Sequence, residues 1–197
     1  GDIETIGILN ANQYYLYIPR SVVYDPIEIG ISREYYLVRY DKGLKMKAKV
    51  AIEPEYKGKN TDFVDILILG KKLWLITKFY NSSEDKEFIF AQSINKNTLE
   101  VKDDPVKIGE VDHSRFRKFK SSEFSLHISP DSSIVCLYGV ISYAKGDMSH
   151  HKVWCFDKDW NLNWKEDDMD NNSITGVFAI ERIHTTDEGV FYISGRN

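Results

Sequence analysis

The chain has 197 residues, with 26 Lys and Arg against 30 Asp and Glu, and a formal net charge of −4. That acidic balance argues against a nucleic-acid binder, because phosphate contacts need a basic surface. No run approaches the roughly 18 apolar residues of a membrane-spanning helix, so no membrane insertion is expected.

In chain order, period-two apolar alternation marks strands at 3–9, 13–19, 34–40 and 44–52. A second set follows at 63–69, 73–80, 87–94 and 99–111, its first hairpin turning at Gly70-Lys71-Lys72. A third set runs 123–128, 133–142, 151–157 and 162–166, and a half-set runs 177–184 and 190–194. Helical periodicity is sustained nowhere, and the 12 Tyr and 10 Phe suit pleated strands. The reading is all-β.

The sets share turn chemistry. Tyr40-Asp41-Lys42-Gly43-Leu44, Ile94-Asn95-Lys96-Asn97-Thr98-Leu99 and Phe156-Asp157-Lys158-Asp159-Trp160-Asn161-Leu162 each read as strand, Asp/Asn-Lys turn and a second strand opened by Leu. Repeats of about 50–60 residues with four strands apiece predict a β-propeller-like domain across 1–197. Its blades span 3–52, 63–111 and 123–166, with a partial blade at 177–194. Three and a half antiparallel blades leave open strand edges, so the expectation is a fragment of a larger propeller, completed by missing blades or a second chain.

Phe124-Ser125-Leu126-His127-Ile128-Ser129-Pro130-Asp131-Ser132-Ser133 resembles the Ser-Pro-Asp-Gly element of TolB-type and WD-like propeller repeats, with Ser132 at the usual Gly position. Thr186-Asp187-Glu188-Gly189-Val190-Phe191-Tyr192-Ile193 resembles the Asp-x-Gly strand of bacterial propeller blades. The resemblance implies a fold family that binds proteins, glycans or small ligands and includes some enzymes. It transfers no catalytic residue.

Propeller connectivity puts the short turns on one side and the long loops 20–33, 53–62, 81–86, 112–122, 143–150 and 167–176 on the other, where binding residues concentrate. Loop position and chemistry nominate Tyr24, Tyr56, Arg115, Arg117 and His150 as ligand contacts. The run from His113 to Lys120 interleaves four cations with two aromatic rings, a pattern also read as a solvated loop. Asp168-x-Asp170-x-Asn172 and Asp157-x-Asp159-x-Asn161 have calcium-like alternation but lack the Gly and bidentate Glu of an EF-hand, and read as turns. No metal or cofactor is expected. His127 and His184, at the ends of first strands, read as core histidines. Cys136 and Cys155 fall nearly opposite on one hairpin, either as two buried thiols or as a cross-strand disulfide.

The sequence contains no Gly-x-Ser-x-Gly elbow, His-Glu-x-x-His helix or phosphate-cradling Gly loop. The main expectation is a non-catalytic module recognising a protein or glycan through the long-loop face. The alternatives are a propeller hydrolase acting on carbohydrate or peptide, and an assembly platform. Compartment stays open, with a lean to a secreted or periplasmic setting.

Overall fold

One turn, repeated with small changes, organises the chain. Asp41 begins the first copy: the Leu44 amide donates to its carbonyl (2.9 Å), its own amide donates to Lys45 (3.0 Å), and Leu44 has φ +60°. Asp157 repeats this with Trp160 (φ +65°) and Asn161, and Thr186 with Gly189 (φ +78°) and Val190. Two further copies rejoin the strands one residue later: Asn95 donates to Glu100, with Leu99 (φ +67°) closing on the Asn95 carbonyl, and Ser129 donates to Ile134, with Ser132 (φ +59°) closing on the Ser129 carbonyl. A turn followed by one left-handed residue joins antiparallel strands without splaying them. The side chains at the first position explain the Asp/Asn signature: Asp41 Oδ1 accepts from the amides of Gly43 and Lys45, and Asp157 Oδ1 from those of Asp159 and Asn161.

The computed structural model describes residues 2–18, 35–102, 104–113, 119–143, 150–167 and 179–196. In order, β1 is Asp2–Leu9, β2 Asn12–Ile18, β3 Tyr35–Tyr40, β4 Met46–Ile52, β5 Glu55–Tyr56 and β6 Lys59–Asn60. Next come β7 Asp62–Leu69, β8 Lys72–Asn81, β9 Lys86–Ile94 and β10 Val106–Asp112. The last are β11 Phe119–Ile128, β12 Ile134–Tyr143, β13 His150–Asp157, β14 Leu162–Asp167, β15 Ala179–Thr185 and β16 Phe191–Arg196. Among the described residues there is no helix long and apolar enough to cross a membrane.

Three four-stranded sheets form in strict chain order, β1-β2-β3-β4, β7-β8-β9-β10 and β11-β12-β13-β14, with a β15-β16 hairpin after them. Four-stranded antiparallel meanders repeated along the chain make the domain all-β and propeller-like.

Three local details differ from the sequence-based expectation. Leu44 and Leu99 do not open strands; they are the left-handed turn residues, so β4 starts at Met46. The strand expected at 99–111 shrinks to β10, preceded by a single Ile94–Val101 bridge, since Pro105 has no amide to extend the ladder. Within the expected loop 53–62, β5 and β6 form a small hairpin about Lys57 (φ +52°) and Gly58 (φ +72°). Both central residues are left-handed, the geometry of a two-residue hairpin turn.

The chain divides into two compact units, Gly1–Thr77 with Gln92–Pro105, and Lys78–Ala91 with Val106–Asn197. In the first, Leu9, Tyr14, Leu16, Leu37 and Ile52 bury against Ile66, Leu73, Leu75, Ile94 and Leu99. Each fully buried aliphatic side chain contributes about 1.5–3 kcal/mol. The first strands β1 and β7 lie side by side there. Gly7 makes that approach possible: a Cβ on it would stand 3.1 Å from Ile68 Cδ1, and its φ of +149° sits at the β1 bulge. In the second unit, Cys136, Tyr138, Val153 and Cys155 pack under Ile183, Phe191 and Ile193 of the β15-β16 hairpin. First strands again meet, β11 beside β15.

Candidate functional site

An acidic residue inside an apolar strand is the first signal. β7 reads Asp62-Phe63-Val64-Asp65-Ile66-Leu67-Ile68-Leu69, and Asp65 is half-buried within it. Burying a carboxylate is costly unless it is paired or becomes protonated. Burial pushes the Asp65 carboxyl above its ordinary value; the Ile66 amide, 2.7 Å from Oδ1, pulls it down; the charge of Glu4 pushes it up again. Glu4 lies on the adjoining strand β1 and is exposed. Two carboxyl groups thus lie within electrostatic reach of each other on neighbouring first strands, Asp65 shielded and Glu4 exposed. Burial favours the neutral form of the shielded Asp65 carboxyl. Composition concealed the pair, because 30 Asp and Glu make any particular pairing uninformative; the visible signal was an Asp inside an apolar run.

On the other side of sheet β1-β4, Ile3, Tyr15, Tyr17, Val38, Tyr40, Leu44, Met46 and Lys49 line a shallow groove of about 450 Å³. Ile3 is 67% exposed and Met46 54%. The rings are held in place by one another: Tyr15 and Tyr40 meet edge to face at 5.6 Å, and Lys49 Nζ sits 4.3 Å from the Tyr36 centroid and 5.0 Å from that of Tyr17. Rings fixed in this way present flat apolar faces with a cation beside them.

The second unit contains a buried polar network. Glu87 on β9 accepts a short hydrogen bond from the Ser122 hydroxyl of β11 and pairs with Lys78 of β8 at 3.5 Å. Lys78 also donates to the Ser122 carbonyl (3.1 Å), and His113 Nε2 lies 3.9 Å from Glu87. Burial lowers the His113 pKa against the pull of Glu87, and the ring stacks on Tyr80, whose hydroxyl donates to Asp85 (2.7 Å). With Glu87, His113 and Ser122 all buried, the network ties three strands together.

The nominated residues distribute unevenly. Tyr56 is half-buried on β5 in the first unit, with Lys57 Nζ 5.2 Å from its ring centroid. His150, half-buried, opens β13 in the second unit and pairs with Ile141. Tyr24, Arg115 and Arg117 lie outside the described residues, as do Asp168, Asp170 and Asn172. His151 stacks on Tyr138 and shares a hydrogen bond with its hydroxyl; burial pushes that phenol up to about 12. His127 Nε2 meets Ser125 Oγ at 2.9 Å and its ring meets Phe191 edge on, while His184 is exposed. The Asp157-x-Asp159-x-Asn161 turn uses the Asp157 carboxylate on its own backbone. Among the described residues no cluster of three or more His, Cys, Asp or Glu is placed to hold a metal ion.

No family model and no curated protein matches the chain. Among solved structures, it is similar to an endo-arabinase from Bacteroides thetaiotaomicron, at 14% identity and a TM-score of 0.50, over 95% of this chain and 67% of that one. At that identity the likeness is one of fold, and it agrees with the propeller-like, repeated-sheet architecture.

Proposed function

We propose that the chain is a carbohydrate-directed propeller module in which Asp65 and Glu4 carry acid–base chemistry at a glycosidic bond. The observation that carries the reading is the placement of a shielded carboxyl and an exposed carboxylate on adjoining first strands. Glycoside hydrolysis needs two carboxyl groups of this kind, one protonating the leaving oxygen and one acting on the opposite side of the ring. The fold likeness to a carbohydrate-active enzyme supports the substrate class. Asp65 is the acid, because burial favours its neutral form; Glu4 is the base or nucleophile, because it is exposed.

The test is release of reducing ends from a panel of plant and bacterial polysaccharides, arabinan included. General acid catalysis contributes about 10²–10⁴-fold, so Asp65→Asn should lose at least a hundredfold in kcat. The rate of the unaltered protein should fall as pH rises through the raised pKa of Asp65. Release of sugar by the wild type and by the Asp65→Asn, Glu4→Gln double variant at equal rates would sink the reading.

A second reading, recognition of a protein or glycan without turnover, is favoured by the tyrosine-lined groove of sheet β1-β4. It predicts retention on an immobilised ligand that Tyr15→Ala and Tyr17→Ala weaken while Asp65→Asn does not.

A further inference from the structure

The two cysteines have an arrangement that the proposed carbohydrate chemistry leaves unused. Cys136 on β12 and Cys155 on β13 are direct register partners, in an uninterrupted antiparallel ladder from Ile134–Asp157 to Ile141–His150. Directly opposed residues on antiparallel strands have Cα atoms about 4.5–5.5 Å apart. A disulfide accepts Cα separations of about 4.4–6.8 Å, so direct register opposition meets its backbone-distance requirement. Both thiols are free and fully buried. Each thiol acts on the other: the neighbouring Cys155 lowers the Cys136 pKa, while Cys136 and burial raise that of Cys155.

What covers the pair is also defined. Ile183, Phe191 and Ile193 of the β15-β16 hairpin pack on the cluster that holds both sulfurs. Polar contacts hold the hairpin at its turn. Trp164 Nε1 donates to the Gly189 carbonyl (3.0 Å), Cys155 Sγ lies 3.8 Å from the same oxygen, and the Asp131 amide donates to Asp187 (3.0 Å). A two-stranded hairpin has little stability of its own and depends on such docking.

We infer that Cys136 and Cys155 form a dithiol–disulfide modification site, oxidised by small disulfides such as glutathione disulfide and gated by departure of the β15-β16 hairpin. In the first step one protein thiolate attacks glutathione disulfide, breaking its S–S bond and releasing one glutathione thiolate. In the second, the other protein thiolate attacks the mixed disulfide, forms the Cys136–Cys155 bond and releases the second glutathione. Two electrons pass to glutathione, and the two thiol protons leave with it. Oxidation removes the sulfhydryl donor facing Gly189, but the carbonyl keeps its Trp164 partner, so the hairpin can redock over the bond.

The experiment incubates the native 197-residue chain with excess glutathione disulfide and counts thiols in denaturant over time. The expected result is loss of both thiols, a monomer two hydrogens lighter, and one linked peptide containing Cys136 and Cys155. Closing the loop should raise the melting temperature by about 5 °C or more. Trp164→Phe removes one neutral hydrogen bond from the half-exposed edge of the gate and should speed oxidation about fivefold; Asp187→Ala should act in the same direction. Persistent thiols, stable glutathione adducts or interchain dimers would overturn the site. An internal disulfide forming at wild-type rate in both variants would overturn the gate.

Discussion

The buried hydroxyl of Tyr14 donates to the carbonyl of Lys96 at 3.0 Å, joining β2 to the Asn95–Leu99 turn more than eighty residues later. Tyr14 has no solvent exposure, and burial raises its phenol pKa despite the nearby Arg39 charge. The ring fills the first unit's core while its oxygen satisfies a turn carbonyl. Tyr14→Phe keeps the ring and orphans the carbonyl, a loss of about 1–2 kcal/mol. Tyr14→Ala also leaves a cavity and should cost about 3–5 kcal/mol. Urea unfolding of both variants measures the difference.

The left-handed leucines make a matched pair. Leu44 and Leu99 are each the left-handed residue that closes its turn, at φ +60° and +67°, but Leu44 is 64% exposed and Leu99 fully buried. A non-Gly residue there is strained by about 1 kcal/mol. Leu44→Gly should therefore stabilise the protein by about 0.5–1 kcal/mol. Leu99→Gly relieves the same strain yet forfeits a packed side chain, for a net cost of about 2–4 kcal/mol. Thermal melts of opposite sign are the expected outcome.

Gly7 sets the approach of β1 to β7 and hence how near Glu4 comes to Asp65. Gly7→Ala forces a side chain into Ile68 at a φ few L residues adopt. A cost of about 1–3 kcal/mol is expected. If the two carboxyl groups act together, turnover should fall in this variant by more than its folded fraction does, a comparison made by circular dichroism and activity on one sample.

Acid should weaken the turns together. Asp131 is drawn down to about 2, chiefly by Ser133 and then by Ser129. Asp41 is lowered first by the Lys45 amide; at Asp157 desolvation pushes upward and is outweighed by Asn161 and Asp159. A carboxylate whose folded pKa lies below its unfolded value of about 3.9 adds stability above that value, lost as pH falls through the folded pKa. The melting temperature should thus drop between about pH 4 and pH 2. Asp131→Asn should melt lower at neutral pH and show a shallower acid slope; an unchanged slope would remove Asp131 from the account.

The Glu87 network makes the last test. Glu87→Leu leaves Lys78 and Ser122 without their carboxylate partner in a largely buried site, for a loss of about 3 kcal/mol. Adding Lys78→Met should recover much of that loss, since an apolar pair can replace a buried ion pair. Urea unfolding of the single and double variants checks both parts.

Local chemistry determined what was legible along the chain. Asp41, Asn95 and Asp157 close their turns on their own backbone within five residues, so turn positions, strand alternation and the chain-order sheets could be read from neighbours alone. The opposition of Cys136 and Cys155 was legible too, because a hairpin carries its register with it. Distance along the chain hid the rest. Asp65 comes within electrostatic reach of Glu4, and Tyr14 meets Lys96 and Ser122 meets Glu87, only because separate strands pack, and no local pattern specifies which side chains that packing will pair. Leu44 and Leu99 show the same division at one residue: both looked like strand openers, and only the completed turn made them left-handed, one in water and one in the core. Alternation tells which residues face inward, whereas the free energy of a buried charge depends on what tertiary packing sets beside it.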